Sequence, residues 1–376
     1  MSLRIETIDL APSGIGTRHQ LTVHRFGPPT ATRKAYLQAS LHANELPGGL
    51  VLHHLSKLLT AAEVCEEILL VPAANPIGLA QYQLGHHSGR HDGVSAGNFN
   101  RGYPDITDTV ADQVAGKLGD DMAANDTVIR TALRAATTDL SGRSTLDHLR
   151  IELMRLAADA EIVLDLHCDR DAELYIYLGG DLWPEGRDLS ADLGAAATLL
   201  AIDSGGNSFD EAFSRVWWHL KNRLGDSVPI PKGCLSATIE LRGPRDVSDD
   251  LACRDAAGLF QFLQRRGFVG GTAAPVPPLI AEATELTACE DLRSPAAGIL
   301  VFKRALGDTI AEGDVIAEII DQTADPFAER LGIRSTTSGR LFSRTDLRWV
   351  QPGQGVAKIA GSVPIADRGT YLLTDR

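Results

Sequence analysis

The chain has 376 residues, a hydrophobic content of 44% and a formal net charge of −13 at pH 7. This length and composition predict a folded protein with a sizeable core and two domains, and they exclude disorder as the default state. The negative charge argues against nonspecific binding to nucleic acid or to an anionic membrane, although a local cationic pocket can still bind an anionic substrate.

The cysteines and the N-terminus indicate a cellular compartment. The five cysteines are spread out, odd in number and without C-x-x-C spacing, which indicates reduced thiols rather than a disulfide framework. The N-terminal sequence MSLRIETIDL lacks the apolar core of a signal peptide, and the chain has no apolar stretch of about 18 residues that could span a membrane. We therefore expect a cytoplasmic protein.

The first patterned segment predicts two strands, at 20–27 and 35–41, and a helix at 46–63. The second strand ends in the sequence LHANELPGG, which places His42 at the strand end and Glu45 three residues later. Strand ends of open α/β sheets line ligand-binding crevices, and imidazole and carboxylate groups are ordinary zinc ligands. The alternative is that both residues simply begin a solvated loop.

The next segment predicts a strand at 68–74, followed by a long polar loop to about residue 105. Asn75 and Pro76 are first of all a turn signal at the end of this strand. Farther along lie three histidines, which could form a second metal site or belong to a plain solvated loop: His86, His87 and His91. We favour the loop.

The end of this loop carries GNFNRGYPD at residues 97–105. Asn100 and Arg101 supply adjacent amide and guanidinium donors, which suit a substrate carboxylate. In the structural alternative, Asp105 neutralises Arg101 within the loop.

Helices are expected at 108–160, and the most strand-like run of the chain follows them, EIVLDLH at 161–167. Near-continuous apolar residues are typical of a strand buried on both faces. His167 stands at the C-terminal end of this strand, and Asp165 points to the same side because side chains alternate. Asp165 could orient a metal-bound histidine, or the two could form a buried hydrogen bond without metal. Cys168 is a weaker ligand candidate because it faces the opposite side.

Further strands and helices alternate along the next hundred residues. A strand is predicted at 175–179, and helices at 188–201, 207–224 and 246–266. The strand at 235–243, LSATIELRG, contains a carboxylate within an apolar run. Burying this glutamate, Glu240, is costly unless it is paired or has a chemical task, and at a metal site that task is general base catalysis. The alternative is an edge-strand glutamate facing water, and we prefer the catalytic interpretation.

The alternation of strands and helices without a glycine-rich phosphate loop predicts an α/β fold, a mixed sheet flanked by helices. Three prolines in GTAAPVPPLI, residues 271–280, indicate a stiff linker. We therefore expect an α/β catalytic domain at 1–272 and a smaller all-β domain at 280–376.

The C-terminal domain contains a weak internal repeat. Residues 294–319 align with 335–360, and each half has a strand, a glycine-containing turn and a final strand. Two such halves resemble the flattened barrel of biotinyl/lipoyl domains. Residues 322–330 contain no lysine to carry a cofactor, so we expect a structural or pocket-shaping module.

The motifs between residues 35 and 245, taken in the order in which they occur in the chain, resemble those of the succinylglutamate desuccinylase/aspartoacylase family. This family is a branch of the zinc carboxypeptidase-like hydrolases. The resemblance implies that one zinc ion is bound by His42, Glu45 and His167, and that Glu240 is the general base. It implies that the substrate carboxylate is held by Asn100 and Arg101, with Asn75 at the N-P position of the family. The expected reaction is hydrolysis of the amide bond of a small N-acyl amino acid or related amide.

The chain departs from the family pattern at two positions. Ala43 stands where a glycine is common after the first histidine, a small change that does not touch the ligands. Leu84 stands where the family often places an arginine that polarises the scissile carbonyl. Arg90 is the nearest arginine in the same loop, and we take it as the candidate for this role.

Other functions and finer details remain open at this point. A peptide-cleaving metallocarboxypeptidase is the second interpretation, and a non-catalytic metal- or ligand-binding homologue is the third. Succinyl, acetyl and N-acetyl-diaminobutyrate-type substrates and a neutral amide are all compatible with the sequence. Nitrogen and oxygen ligands also accept cobalt, nickel or manganese. The family resemblance makes a homo-oligomer plausible.

Overall fold

The fold is organised around one large sheet with helices on both faces. The structure, a computed structural model, describes residues 3–365, 372 and 373. The helices are α1 (Pro47–Ala61), α2 (Pro76–Leu79), α3 (Thr107–Val114), α4 (Met122–Thr138), α5 (Thr145–Ala157), α6 (Trp183–Leu193), α7 (Glu211–Leu224) and α8 (Asp249–Arg265).

The strands are numbered in the same way along the described chain. They are β1 (Arg4–Asp9), β2 (Gln20–Phe26), β3 (Lys34–Ala39), β4 (Glu67–Val71), β5 (Tyr82–Gln83), β6 (His86–His87), β7 (Ile162–His167), β8 (Asp171–Ala172), β9 (Leu174–Leu178), β10 (Ala197–Leu200), β11 (Leu235–Leu241), β12 (Thr284–Glu285), β13 (Cys289–Arg293), β14 (Gly298–Phe302), β15 (Thr309–Ile310), β16 (Val315–Ile320), β17 (Leu331–Arg334), β18 (Gly339–Arg344), β19 (Trp349–Val350) and β20 (Gly355–Gly361).

The large sheet has nine strands in the order β1-β2-β4-β3-β7-β11-β9-β10-β12. Strands β4, β3, β7 and β11 run parallel to one another, whereas β1 with β2, β2 with β4, and β9 with β11 pair antiparallel. The predicted mixed sheet flanked by helices is therefore confirmed. No helix in the described part of the chain is long and apolar enough to cross a membrane.

The two faces of the sheet pack against different helices. On β3, Tyr36 belongs to a core cluster with residues of α4, α5 and α7, whereas Leu37 belongs to a cluster with residues of α1, α6 and α8. All six residues of β7 are buried, which explains why its sequence is almost continuously apolar. Each buried aliphatic side chain there contributes about 1.5–3 kcal/mol.

One predicted helix was wrong in its second half. The run 188–201 is rich in alanine and leucine, but α6 ends at Leu193 and residues 197–200 form the buried strand β10. Gly194 adopts φ +64° and ends the helix in a left-handed conformation, which a glycine adopts without steric cost. Pairing with β9 then outweighs the helical propensity of the alanines.

The C-terminal strands form two further sheets, β13-β20-β18-β15 and β17-β16-β14-β19. The short strands are exchanged between the repeat halves, since β15 pairs with β18 and β19 pairs with β14. Strand β18 also pairs with β8, which follows β7 closely in the chain. Phe342 of β18 packs with Tyr175 of β9 at a ring-centroid distance of 4.8 Å, so this part of the chain contacts the large sheet directly.

Candidate active site

The C-terminal ends of β3, β7 and β11 meet at one edge of the large sheet. Strands β3 and β7 are parallel neighbours, with Leu37 opposite Leu164, and β11 lies next to β7, with Glu240 opposite His167. The three sequence motifs that end these strands are therefore brought together, although they lie far apart in the chain.

At this edge lies a buried cluster of His42, Glu45 and His167. One candidate ligand atom from each residue lies within 4.8 Å of the other two. Glu45 stands between the histidines, with Oε1 at 3.0 Å from His42 Nδ1 and Oε2 at 2.9 Å from His167 Nδ1. Two imidazole nitrogens and a carboxylate oxygen at such distances form a donor set that fits zinc.

The remaining ring nitrogens of the two histidines face oxygen acceptors. His42 Nε2 lies 2.9 Å from Asn98 Oδ1, and His167 Nε2 lies 2.9 Å from Asp165 Oδ2. Such contacts leave the Nδ1 atoms directed at Glu45, and they resemble the outer contacts that orient metal-bound histidines. The sequence indicated Asp165 but not Asn98, whose only signal is its position two residues before Asn100.

The charges of the cluster are unequal. Burial lowers the pKa of His42, and this effect outweighs the attraction of Glu45. Burial would also lower the pKa of His167, but Asp165 and Glu45 hold it well above its ordinary value. Burial would raise the pKa of Glu45, but the two histidines hold it well below its ordinary value. The cluster therefore favours an ionised carboxylate between a neutral and a protonated imidazole.

A close helix approach holds the loop that carries His42 and Glu45. Helix α1 begins at Pro47, and a Cβ atom on the next residue, Gly48, would lie 2.8 Å from Leu166 Cβ. Asn75 also supports this loop, because its Nδ2 donates to Leu41 O at 2.8 Å and its Oδ1 accepts from Gly78 N at 2.8 Å. Direct contact of Asn75 with substrate stays a prediction.

Glu240 faces the metal-ligand cluster from β11. Its Oε2 is buried and has no hydrogen-bond partner within the described residues. Burial raises the pKa of Glu240 to about 8, and the charge of Glu45 adds to this effect. Strand β11 lies inside the sheet between β7 and β9, so the interpretation as an edge-strand glutamate was wrong. An unpaired carboxyl group of high pKa can accept a proton near neutral pH.

These groups line a cavity of about 180 Å³. Its walls include His42, His167 and Glu240 together with Asn100 and Arg101. Arg101 donates to Asn100 O at 2.7 Å, and Asn100 Oδ1 accepts from Phe209 N at 2.9 Å. The two residues predicted to hold a substrate carboxylate therefore lie beside the candidate metal site.

The alternative interpretation, in which Asp105 neutralises Arg101 within the loop, is wrong. Asp105 lies instead 3.2 Å from a guanidinium nitrogen of Arg215. Within the described residues, Arg101 makes no ion pair, so its guanidinium charge is available to a ligand in the cavity.

Arg90 also lines the cavity. Its Nη1 lies 3.0 Å from Glu45 Oε1 and 3.2 Å from His42 Nδ1. Leu84, by contrast, is fully exposed at the turn between β5 and β6. The arginine of this loop that reaches the site is therefore Arg90.

The other candidate ligands of the region do not join the cluster. Cys168 is buried, and its backbone N–H donates to Glu45 Oε2 at 3.1 Å, while burial raises the pKa of its thiol. His87 lies 3.0 Å from Gly78 O in a two-stranded hairpin. His42, Glu45 and His167 are the ligand cluster found among the described residues. The preference for a plain loop at His86, His87 and His91 stays a prediction.

Strand β20 contributes to the cavity a side chain that was not among the residues predicted from the sequence. Lys358 Nζ lies 2.8 Å from Asp169 Oδ2, and this oxygen also accepts from Tyr175 and Ser343. Burial would raise the pKa of Asp169, but Lys358 and the hydroxyl donors lower it to about 2. Lys358 belongs to the predicted C-terminal domain, and no local pattern distinguishes it from a surface lysine.

The chain is similar in sequence to a known family and to a curated protein. Residues 31–203 match the family described as Succinylglutamate desuccinylase/Aspartoacylase catalytic domain. A curated relative, the N-alpha-acetyl-L-2,4-diaminobutyric acid deacetylase of Halomonas elongata, is 24% identical over 329 residues, which cover 87% of this chain and 81% of the relative.

Two solved structures share the fold over nearly the whole chain. A succinylglutamate desuccinylase/aspartoacylase family protein from Shewanella amazonensis SB2B has a TM-score of 0.83 at 24% identity, covering 95% of this chain and 98% of the other. A similarly described protein from Shewanella frigidimarina NCIMB 400 has a TM-score of 0.83 at 23% identity, covering 96% and 97%. At this level of identity the comparison concerns the fold.

Proposed function

We propose that this chain is a zinc-dependent deacylase of the succinylglutamate desuccinylase/aspartoacylase family and that it hydrolyses the amide bond of an N-acyl amino acid. The match of residues 31–203 to the catalytic domain of this family supports the assignment. The observation that carries the proposal is the buried cluster of His42, Glu45 and His167 in one cavity with Glu240, whose Oε2 has no hydrogen-bond partner among the described residues. The Halomonas elongata relative, named for the deacetylation of an acetylated amino acid, supports the same reaction class.

The metal would be held by His42, Glu45 and His167. Three protein ligands leave a coordination position open, as in catalytic rather than structural zinc sites. When bound, zinc supplies Lewis acidity to the substrate carbonyl and to water.

Glu240 is the proposed general base. Its Oε2, which has no hydrogen-bond partner in the part of the chain that the structure describes, takes a proton from the attacking water and then delivers it to the leaving amine. Its raised pKa of about 8 suits both steps, because the carboxylate accepts the proton readily and can still release it.

Arg90 and the pair Asn100 and Arg101 would orient the substrate. Asn100 and Arg101 hold the substrate carboxylate, which places the amide beside the metal ligands. Arg90 offers its guanidinium group to the oxyanion that develops at the carbonyl. Asn75 contributes to substrate binding indirectly, because it stabilises the loop that carries His42 and Glu45.

We also propose that the chain divides into domains at 1–272 and 280–376. The second domain would have a biotinyl/lipoyl-like architecture. The two sheets with exchanged short strands support a flattened barrel. Lys358 of this barrel lines the cavity, which supports a pocket-shaping role. A cytoplasmic location and a homo-oligomeric state stay predictions.

The test is the metal content of protein purified without chelator, for the wild type and for His167→Ala. We expect about one zinc ion per chain in the wild type and its loss in the variant. The wild type should then release amino acids from a panel of N-acyl amino acids. Absence of metal from the wild type after zinc is added back would contradict the proposal, and cleavage of peptides alone would favour a carboxypeptidase.

A further inference from the structure

A cysteine, a histidine and an aspartate form a hydrogen-bonded chain between α1 and α8. Cys253 Sγ lies 3.3 Å from His54 Nδ1, and His54 Nε2 lies 2.8 Å from Asp249 Oδ1. The wall of the active-site cavity, as far as the structure describes it, includes none of these three residues. The cluster is therefore separate from the proposed deacylase chemistry.

The packing of the two helices brings the three side chains together. Asp249 and Cys253 are four positions apart on α8, and residues with this spacing lie on the same face of a helix. His54 comes from α1, where the next residue, Leu55, belongs to the same buried core cluster as Ala252 of α8. The imidazole is thereby held against both the thiol and the carboxylate.

The aspartate decides which nitrogen of His54 carries the proton. An ionised carboxylate only accepts hydrogen bonds, so Nε2 of His54 donates to Asp249. In the neutral imidazole the other nitrogen, Nδ1, is then an acceptor, and the thiol of Cys253 donates to it. A thiol beside a base that is itself oriented by a third group is the arrangement that activates cysteine nucleophiles.

The outer part of the cluster is open to solvent. Cys253 is exposed, and the side chain of Asp249 is 80% exposed, whereas that of His54 is 12% exposed. An ion pair or hydrogen bond with so exposed a carboxylate contributes little to stability. Stabilisation of the helix pair therefore does not account for the arrangement, and a reagent can reach the sulfur.

The other four cysteines lack either the exposure or the base. Three of them are buried, namely Cys168, Cys234 and Cys289. Burial raises the pKa of the Cys234 thiol to about 12. Cys65 is exposed, and its Sγ lies 3.9 Å from Glu63 O, a carbonyl oxygen that cannot act as a base. Among the residues that the structure describes, Cys253 is thus the thiol that combines exposure with a contact to a histidine.

We propose that Cys253 is a modification site that reacts with low-molecular-mass disulfides to form a mixed disulfide. His54 Nδ1 accepts the thiol proton, and the sulfur attacks one sulfur of the reagent. An S–S bond forms on Cys253 while the S–S bond of the reagent breaks, and the departing thiolate takes the proton from His54. The Cys253 sulfur is oxidised and the reagent is reduced to one free thiol, so no further oxidant is needed.

Competition between two thiols of the same molecule tests this site. The folded protein at pH 7 is treated with oxidised glutathione, and peptide mass spectrometry measures the rates of mixed-disulfide formation at Cys253 and Cys65. We expect Cys253 to react roughly tenfold faster than Cys65. The ratio should fall close to one in His54→Gln, because the amide can still donate to Asp249 but cannot take the thiol proton.

His53→Gln is the matched control. It removes the neighbouring exposed imidazole, whose ring packs on that of His54 at a centroid distance of 5.4 Å, and it leaves the base in place. This variant should keep the wild-type ratio. Equal rates at Cys253 and Cys65 in the wild type, or an unchanged ratio in His54→Gln, would overturn the proposal.

The buried Cys234 reports whether a variant is folded, because its thiol can be modified only when the chain opens. If it is modified in His54→Gln, Asp249→Ala takes the place of that variant. Loss of the carboxylate that orients the imidazole should lower the ratio at least about threefold, and Asp249→Glu should restore most of it. A wild-type ratio in Asp249→Ala would then count against the proposal.

Discussion

Glu240 is the residue in which the candidate chemistry is most directly testable. Its carboxyl group is buried and has a raised pKa of about 8, and its Oε2 has no hydrogen-bond partner among residues 3–365, 372 and 373. No packing requirement explains a carboxylate at this position of an interior strand, where an apolar residue would cost less. The catalytic interpretation therefore depends on what happens when only the proton-accepting capacity is removed.

Glu240→Gln should lower kcat by roughly 10²–10⁴-fold, because the amide cannot accept the proton of the attacking water. The variant keeps the shape of the side chain and all three candidate ligands, so its zinc content should equal that of the wild type. Steady-state kinetics and metal analysis of the same preparation measure the two effects. Full activity in this variant would refute the role of general base.

Glu211→Gln should also change stability, in the opposite direction to the usual cost of a mutation. The folded pKa of about 7 lies above the ordinary value of 4.5, so ionisation costs folding free energy as the pH rises from about 4.5 to 7. The variant lacks this cost and should be more stable than the wild type by about 1–3 kcal/mol at pH 8. Urea unfolding at pH 8 and pH 4 measures the difference, which should vanish at the lower pH. A variant less stable at pH 8 would contradict a carboxyl group whose ionisation is opposed by burial.

At the scale of elements, the site depends on how closely α1 approaches the sheet. The helix starts two residues after Glu45, so its position sets the position of that carboxylate. The approach requires a residue without a side chain at Gly48, because Ala39 Cβ and Leu166 Cβ occupy the space.

Gly48→Ala should destabilise the protein by about 1–3 kcal/mol, because the added Cβ would lie 2.8 Å from Leu166 Cβ. It should also weaken metal binding, since α1 can make room only by moving the loop of Glu45. Urea unfolding and zinc affinity are the measurements. Gly119→Ala is the control, since nothing lies within 4 Å of the Cβ it would add, and its effect should stay within about 0.5 kcal/mol. Equal effects of the two substitutions would argue against tight packing of α1.

Local helix propensity does not predict the conformation of every short apolar segment. Residues 197–200 are helix-forming by composition but lie in β10, beside β9. Conversely, the strand predicted at 235–243 is β11, an interior strand in which apolar residues alternate with Ser236, Thr238 and Glu240. Burial against long-range neighbours decides between the two states when a short apolar run allows either.

For the whole molecule, the contact of Lys358 with Asp169 joins the C-terminal strands to the end of β7. Asp169 follows His167 by two residues, so this ion pair links the small β sheets to the candidate metal site. The pairing of β8 with β18 and the packing of Phe342 on Tyr175 join the same two parts of the chain. The C-terminal part is thereby bound to the active-site edge of the large sheet.

Lys358→Met should destabilise the protein by about 2 kcal/mol at pH 7, because it leaves a buried carboxylate without its cation. The pKa of Asp169 is about 2 when folded and near 3.8 when unfolded, so the stability from ionised Asp169 is present above about pH 4 and is lost as the pH falls through 2. The cost of the substitution should shrink over the same range. Urea unfolding from pH 7 to pH 2 tests this.

Lys303→Met is the matched control, because Lys303 pairs with Glu318 in a more exposed ion pair. Its effect at pH 7 should be much smaller than that of Lys358→Met, because solvent screens an exposed ion pair. An equal cost for both lysine substitutions, or a cost for Lys358→Met that does not depend on pH, would show that the Asp169 contact adds no specific stability.

Sequence patterns alone predict the strands that contain His167 and Glu240, the strand that ends just before His42, the mixed sheet and the resemblance to the family. These features follow from short-range patterns: alternating or continuous apolar runs form strands, and polar residues at the ends of parallel strands meet at one edge of the sheet. Asn98, Lys358 and the buried Glu211 became visible only in the tertiary structure. Their positions depend on contacts between segments distant in the chain, because a side chain acquires a buried ionic partner, or is left without one, only when the whole chain has packed.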